Sequence, residues 1–236
     1  MISFNVITPF PKMFDAVMNE SILLKAKQKH FAKYNIFNLF NYLDNSSERI
    51  DDYPFGGGEG MILKAKPIFD AVNDIKSVIG NNKKYRIIFP TPDGKIFNHS
   101  KAKELSEESN LIFICGHYKG IDQRIRDEII TDEISIGDFV LTSGELPTMI
   151  MIDSIIRLKK GVLNNYESAK KDSFYNFLLD GPHYTRPREL EGNKVPDVLL
   201  SGDHKKIKDW FLSQREEKTK KLRLDLWKKY KSKKME

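Results

Sequence analysis

Glycine at unusual density is the first chemical signal in this 236-residue chain. Three segments, YPFGGGEGM at 53–61, CGHYKGID at 115–122 and SIGDFVLTSGELP at 135–147, place enough glycine together for a ligand to approach the backbone closely. None is a usual phosphate loop, because no GK[ST] ends a P-loop and no GxGxxG joins a strand to a helix. ATP and NAD are therefore disfavoured. CGHYKGID follows directly on the apolar run LIFIC, which puts Gly116 and Gly120 at the carboxyl edge of a sheet, where open α/β folds bind ligands. A nucleotide-like cofactor held by backbone groups suits that placement, and three tight turns that need glycine are the plain alternative.

The elements that must position these segments are strands and helices in alternation. Runs rich in β-branched and aromatic residues, at 2–7, 85–90, 111–115 and 139–142, read as buried strands. Between them, residues 10–29 place Phe10, Met13, Phe14, Val17 and Met18 on one helical face, 100–109 reads as a short polar helix, and 146–158 as a largely buried one. The pattern predicts an α/β domain with a mainly parallel sheet over residues 1–159. Residues 160–173 lack apolar periodicity and contain several turn formers, which predicts a mobile linker. Residues 174–236 then read as a small all-helical C-terminal domain, with helices near 203–213 and 216–231.

Charge separates the same parts. Residues 203–236 hold 13 Lys and Arg against 6 Asp and Glu, so the net charge of +6 resides in the tail and the rest of the chain is near neutral. A cationic arm of this kind could neutralise phosphates, although a lysine-rich solvated helix would look the same. No run approaches the roughly 18 apolar residues of a membrane span, and the first residues carry no leader pattern, so a cytoplasmic protein is expected. The single cysteine, Cys115, excludes an intramolecular disulfide and a cysteine-based metal cluster, and suits a reducing compartment.

The motifs FGGGEGM, CGHYKGID, SIGDFVLTSGELP, DSF with LLDGPHYTRP, and VPDVLLSGDH occur in this order. In order and spacing the chain resembles the bacterial tRNA (guanine-N1)-methyltransferases of the SPOUT class over about residues 1–215. The resemblance implies a SPOUT-type catalytic domain with a deep trefoil knot, a small helical domain, and a homodimer with active sites at the subunit interface. It implies S-adenosylmethionine as methyl donor and, as target, guanosine 37 of tRNA, just 3′ of the anticodon, whose methylation maintains the reading frame. On the same basis Pro92, Gly116, Tyr118, Gly120, Ile136, Gly137, Phe139, Leu141 and Gly144 would line the adenosyl pocket. Two positions depart from the pattern: Lys119 stands where Glu is common, and Ser143 where a second Gly is common.

Guanine N1 carries a proton at neutral pH, so it attacks a sulfonium methyl efficiently only after that proton is removed. A carboxylate can take the proton, and a cation facing O6 would stabilise the enolate-like charge that develops. Asp172 matches the aspartate of the DSF motif and would be the base; Arg157 matches the catalytic arginine and would bind O6 or position the aspartate. Read from residues alone, Asp172 is a helix N-cap and Arg157 a surface charge. His183 could serve as a base or as a structural hydrogen-bonding residue, while Cys115 reads as a buried inert thiol. Asp51 and Asp52 could read a base edge through an N–H donor, or simply form a turn before Tyr53 and Pro54. Arg186, Arg188 and the tail lysines are candidate phosphate contacts. Whether a divalent ion such as Mg2+ takes part is left open, as are two other readings: a related knotted methyltransferase acting on another RNA, and a non-catalytic RNA-binding protein.

Overall fold

The structure, a computed structural model, describes residues 1–45, 47–80, 83–163 and 172–235. The chain divides into two compact units, Met1–Asn164 and Asn165–Glu236. In the first unit a five-stranded sheet has the order β2-β1-β6-β5-β7, with β1 at Ile2–Thr8, β2 at Ala32–Asn38, β5 at Arg86–Ile96, β6 at Asn110–Ile114 and β7 at Asp132–Ser135. Every neighbouring pair in it is parallel. Two further short strands, β3 (Asp51–Asp52) and β4 (Ile62–Leu63), pair antiparallel and carry the first glycine segment between them.

Alternation along the strands sends side chains to two separate cores, as the two-residue period of a strand requires. Leu111 and Phe113 of β6 join Phe4, Val6 and Ile88 in one, against helices α1 (Lys12–Met18), α2 (Ser21–Gln28), α4 (His99–Ser106) and α6 (Glu145–Ile156). Ile112 and Ile114 join Ile7, Ile87 and Phe89 in the other, against α3 (Ala65–Ile79) and α5 (Gln123–Glu128). Helices thus cover both faces of a parallel sheet, which is the arrangement that leaves such strands apolar on both sides.

α3 shows why these residues fold as they do. Ile68, Ala71, Val72, Ile75 and Ile79 recur at helical spacing and are buried, each large one contributing about 1.5–3 kcal/mol of burial. The helix stops at Gly80, which adopts φ +93° and returns its N–H to the Lys76 carbonyl. α4 starts on Asn98, whose side chain accepts from Lys101 N at 3.0 Å.

Several expected elements differ. Residues 139–142 form no strand: Phe139 and Val140 are exposed, and the strand of this region is β7, just before them. An apolar run on a loop beside a cavity mimics a buried strand in composition alone. The helical face expected over 10–29 is split, because the chain breaks between α1 and α2, where Ser21 takes φ +48°; Phe14 and Met18 are buried while Phe10, Met13 and Val17 face outward. The expected linker falls largely on residues 164–171, outside the described residues.

The second unit is helical, with α7 (Asp197–Leu200), α8 (His204–Leu222) and α9 (Leu224–Met235), but it also contains a hairpin of β8 (Glu189–Leu190) and β9 (Asn193–Lys194), so it is not all-helical. Asp203 caps α8 by accepting from Lys205 N and Lys206 N, both at 3.0 Å. The break between the two long helices comes at Arg223, later than the sequence pattern suggested; there Arg223 forms a bidentate pair with Asp225 at 2.8 and 2.7 Å.

Candidate active site

The loops that leave the carboxyl ends of β6 and β7, with the irregular middle of β5, wall a cavity of about 360 Å3. The order of parallel strands makes this a crevice of the kind in which open α/β sheets bind ligands, and the volume lies in the range of small-molecule sites. All nine residues from Pro92 to Gly144 that the resemblance assigned to a cofactor line this cavity. Its walls combine glycine backbone, apolar side chains such as Phe89, Ile134 and Val140, and polar ones including Thr91, His117, Lys119 and Ser135, and among the described residues no aspartate or glutamate lines it. β5 is interrupted in its pairing with β7 between Pro90 and Lys95, which carries Thr91 and Pro92 out of register and into the cavity wall.

One glycine shows how closely these walls approach. A β-carbon on Gly144 would stand 2.7 Å from Gly116 N and 2.8 Å from Cys115 Cα, inside van der Waals contact with backbone that has no room to yield. The Gly144 N–H donates to the Gly116 carbonyl at 2.9 Å, and His117 forms a single antiparallel bridge with Ser143. The second and third glycine segments are therefore joined backbone to backbone.

Beneath that junction lies a carboxylate that the sequence reading did not single out. Glu145, the first residue of α6, has a side chain with no solvent exposure. Its carboxylate accepts from Thr8 Oγ1, at the end of β1, and from His117 Nε2 at 2.9 Å. Burial alone raises the pKa of this group, yet the hydrogen bonds from His117, Thr8 and Ser143 outweigh it and hold the carboxyl below the ordinary glutamate value. Glu145 thus ties β1, the 116–120 loop and the 143–144 turn to one point, helped by its place in the positive first turn of α6. The only sequence trace of this was the pair of motifs that contain His117 and Glu145.

The remaining candidates are spread over both units. Asp51 is buried and held by Arg49 through bonds of 3.1 and 3.0 Å, which keep its carboxyl below the usual range. Asp52 is exposed, with one oxygen accepting from Tyr53 N at 2.8 Å. Cys115 is buried beside Thr148 at 3.5 Å, and burial pushes its thiol well up, so it is the inert thiol expected. Arg157 follows the last turn of α6, exposed, with its N–H on the Asp153 carbonyl at 3.2 Å.

Asp172 belongs to the second unit and is half-buried. Its neighbour Ser173 accepts from Asp180 N at 2.9 Å, and Asp180 in turn accepts from Gly181 N and pairs with His183 Nε2 at 2.9 Å. His183 is thus held by Asp180 within the second unit. α8 holds the same segment: Leu179 N donates to the buried Thr219 Oγ1 at 2.8 Å, Arg215 Nε to the Leu179 carbonyl and Lys218 Nζ to the Asp180 carbonyl. Arg186 and Arg188 are exposed on the approach to the β8–β9 hairpin. Among the described residues no group of three or more His, Cys, Asp or Glu is placed to hold a metal ion, and no helix is long and apolar enough to cross a membrane.

A parallel sheet with helices on both faces and a glycine-built cavity at its carboxyl edge defines an α/β protein with the kind of crevice in which such sheets bind small ligands. Comparison with known sequences narrows this. The family described as tRNA (Guanine-1)-methyltransferase TrmD matches residues 2–229, and the chain belongs to that family. It is similar to the tRNA (guanine-N(1)-)-methyltransferase of Clostridioides difficile, 50% identical over 226 residues that cover 96% of this chain and 97% of the relative. It is similar as well to those of Bacillus pumilus, 50% identical over 93% of this chain and 89% of the relative, and Bacillus subtilis, 51% identical over 86% and 83%.

Proposed function

We propose that this chain is a tRNA (guanine-N1)-methyltransferase that moves the methyl group of S-adenosylmethionine to N1 of guanosine 37, next to the anticodon. The observation that carries the reading is the cavity itself: the second and third glycine segments of a family member converge on a site that can enclose a neutral adenosine by backbone groups. The donor set fits the cofactor, since glycine loops and apolar walls suit an adenine and ribose, and no carboxylate lies among the described residues of the lining. S-adenosylmethionine, when bound, supplies an electrophilic methyl group.

The chain's own residues supply the rest. Asp172 takes the N1 proton of guanine, and Arg157 faces O6, where negative charge grows as that proton leaves. Ser173, tied to Asp180, fixes the backbone that presents Asp172. Arg186, Arg188 and the lysines of α8 and α9 engage phosphates, while Asp52, whose carboxylate is exposed, is better placed than Asp51 to read a neighbouring base.

The same reading includes the knot and the dimer. The approach of Gly144 to Gly116 supports close threading of the cavity loops as a deep trefoil knot. A homodimer is supported by exposed apolar residues on two helices that pack together, Met13 and Val17 of α1 with Leu146 and Ile150 of α6. The tRNA would be met in the cytoplasm. Incubation with isotopically labelled S-adenosylmethionine followed by mass mapping of the tRNA tests the reaction. Label as 1-methylguanosine beside the anticodon is expected; label only in ribosomal RNA would favour the related methyltransferase, and no transfer at all would favour an RNA-binding protein without catalysis.

A further inference from the structure

Among the described residues that line the cavity, Lys119 is the only Lys, Arg, Asp or Glu. Its ammonium group makes no hydrogen bond or ion pair with any described residue. Its position is nonetheless fixed. Lys119 N donates to the Met61 carbonyl at 3.1 Å, and Gly120 N closes the turn onto the His117 carbonyl at 2.9 Å. The side chain lies against Gly60, where an added β-carbon would stand 3.0 Å from Lys119 Cε and 3.1 Å from Cγ. The first glycine segment therefore makes room for the stem of a lysine carried by the second, and an unpartnered cation is held at an otherwise neutral cavity.

We infer that Lys119 is the residue that recognises the carboxylate at the amino-acid end of the cofactor and so sets which way round the cofactor lies. This rests on the reading of the cavity as the S-adenosylmethionine site. That molecule has an uncharged adenosine, two cationic groups, the sulfonium and the α-ammonium, and one anion, the α-carboxylate. A lysine repels the first two and pairs only with the third, so it acts as a sign-selective anchor: the carboxylate turns toward Lys119 and the adenosine toward the neutral glycine walls. Because the product S-adenosylhomocysteine lacks the sulfonium charge, the anchor favours product over donor, and its removal weakens the product more.

Calorimetric titration of the full chain without tRNA tests this. The ligands are S-adenosylmethionine, S-adenosylhomocysteine and 5′-methylthioadenosine, which keeps the adenosine and the sulfur but has no amino-acid end. Lys119→Gln is expected to weaken S-adenosylhomocysteine about fivefold, the scale of one solvent-facing charged contact, to weaken S-adenosylmethionine less, and to leave 5′-methylthioadenosine unchanged. Lys119→Arg should restore the wild-type values to within about twofold. Equal losses for all three ligands, or no loss for any, would overturn the inference. A wild-type chain that binds neither S-adenosylmethionine nor its product would instead overturn the reading of the cavity.

Discussion

Replacing Glu145 with Gln is the sharpest perturbation this site offers. The substitution keeps the shape of the side chain but removes its charge, and the new amide NH2 must face one of the donors that now converge there, Thr8 Oγ1 or His117 Nε2. A hydrogen bond to a charged group is worth about 1.5–3 kcal/mol and a neutral one about 0.5–1.5, so two weakened bonds and one mismatched donor cost roughly 3 kcal/mol. For a domain of this size that lowers Tm by roughly 6–12 °C. The sign of the pH dependence follows from the lowered pKa of Glu145. Its contribution is complete above the ordinary value of 4.5 and is lost as pH falls through the lower folded-state value. Urea unfolding of wild type and Glu145→Gln from pH 7 down to pH 3 should thus show a gap that is wide at neutral pH and narrows in acid. S-adenosylhomocysteine binding should weaken with it, because the variant loosens both the 116–120 loop and the 143–144 turn of the cavity wall. A gap that stays constant across that range, or a variant as stable as wild type at pH 7, would refute the role given to the buried carboxylate.

Three further outcomes can be checked independently. Asp172→Asn should bind S-adenosylhomocysteine normally while single-turnover methyl transfer to tRNA falls by about 100-fold or more, the scale of a lost general base; near-normal transfer would remove Asp172 from that role. Gly144→Val should lose cofactor binding and lower Tm, since even its first carbon meets Gly116 and Cys115 backbone, and a variant with wild-type affinity would contradict the close approach. Ile150→Asp on the exposed face of α6 should shift the chain from dimer to monomer in sedimentation velocity, whereas an unchanged sedimentation coefficient would place the interface elsewhere.

The sequence was most informative where residue type and backbone geometry coincide. LIFIC could only be a buried strand, and the glycines after it could only be a turn at the sheet's edge, so the cavity's position was legible. The run FVLT misled because Val140 and its neighbours are apolar for the sake of a cavity wall or a partner, and composition does not separate that from a sheet interior. α3 lies outside the predicted helices although its isoleucines keep helical spacing; Lys, Asp and Asn residues between them break the apolar run that marks the other buried elements. Glu145 was invisible for a deeper reason. Its importance comes from Thr8, 137 residues away, and long-range convergence leaves no local pattern. The roles of Asp172 and Arg157 came from family likeness, since a half-buried aspartate and an exposed arginine are ordinary residues by local chemistry.

The bond from Asp180 N to Ser173 Oγ has a consequence for how the reaction would be timed. Through Asp180, Leu179 and Thr219 the segment bearing Asp172 is part of the same body as α8, whose far end and α9 carry most of the positive charge. If Asp172 is the proton acceptor and the lysines of α8 and α9 grip phosphates, as proposed, the two share one body, and the acceptor would not be placed without placing the arm. On that proposal an RNA trimmed so that it no longer reaches the lysines would forfeit turnover as well as affinity, because binding energy at the arm would be what holds the acceptor in line. On this view the tRNA body is a structural component of the catalyst for the duration of the reaction.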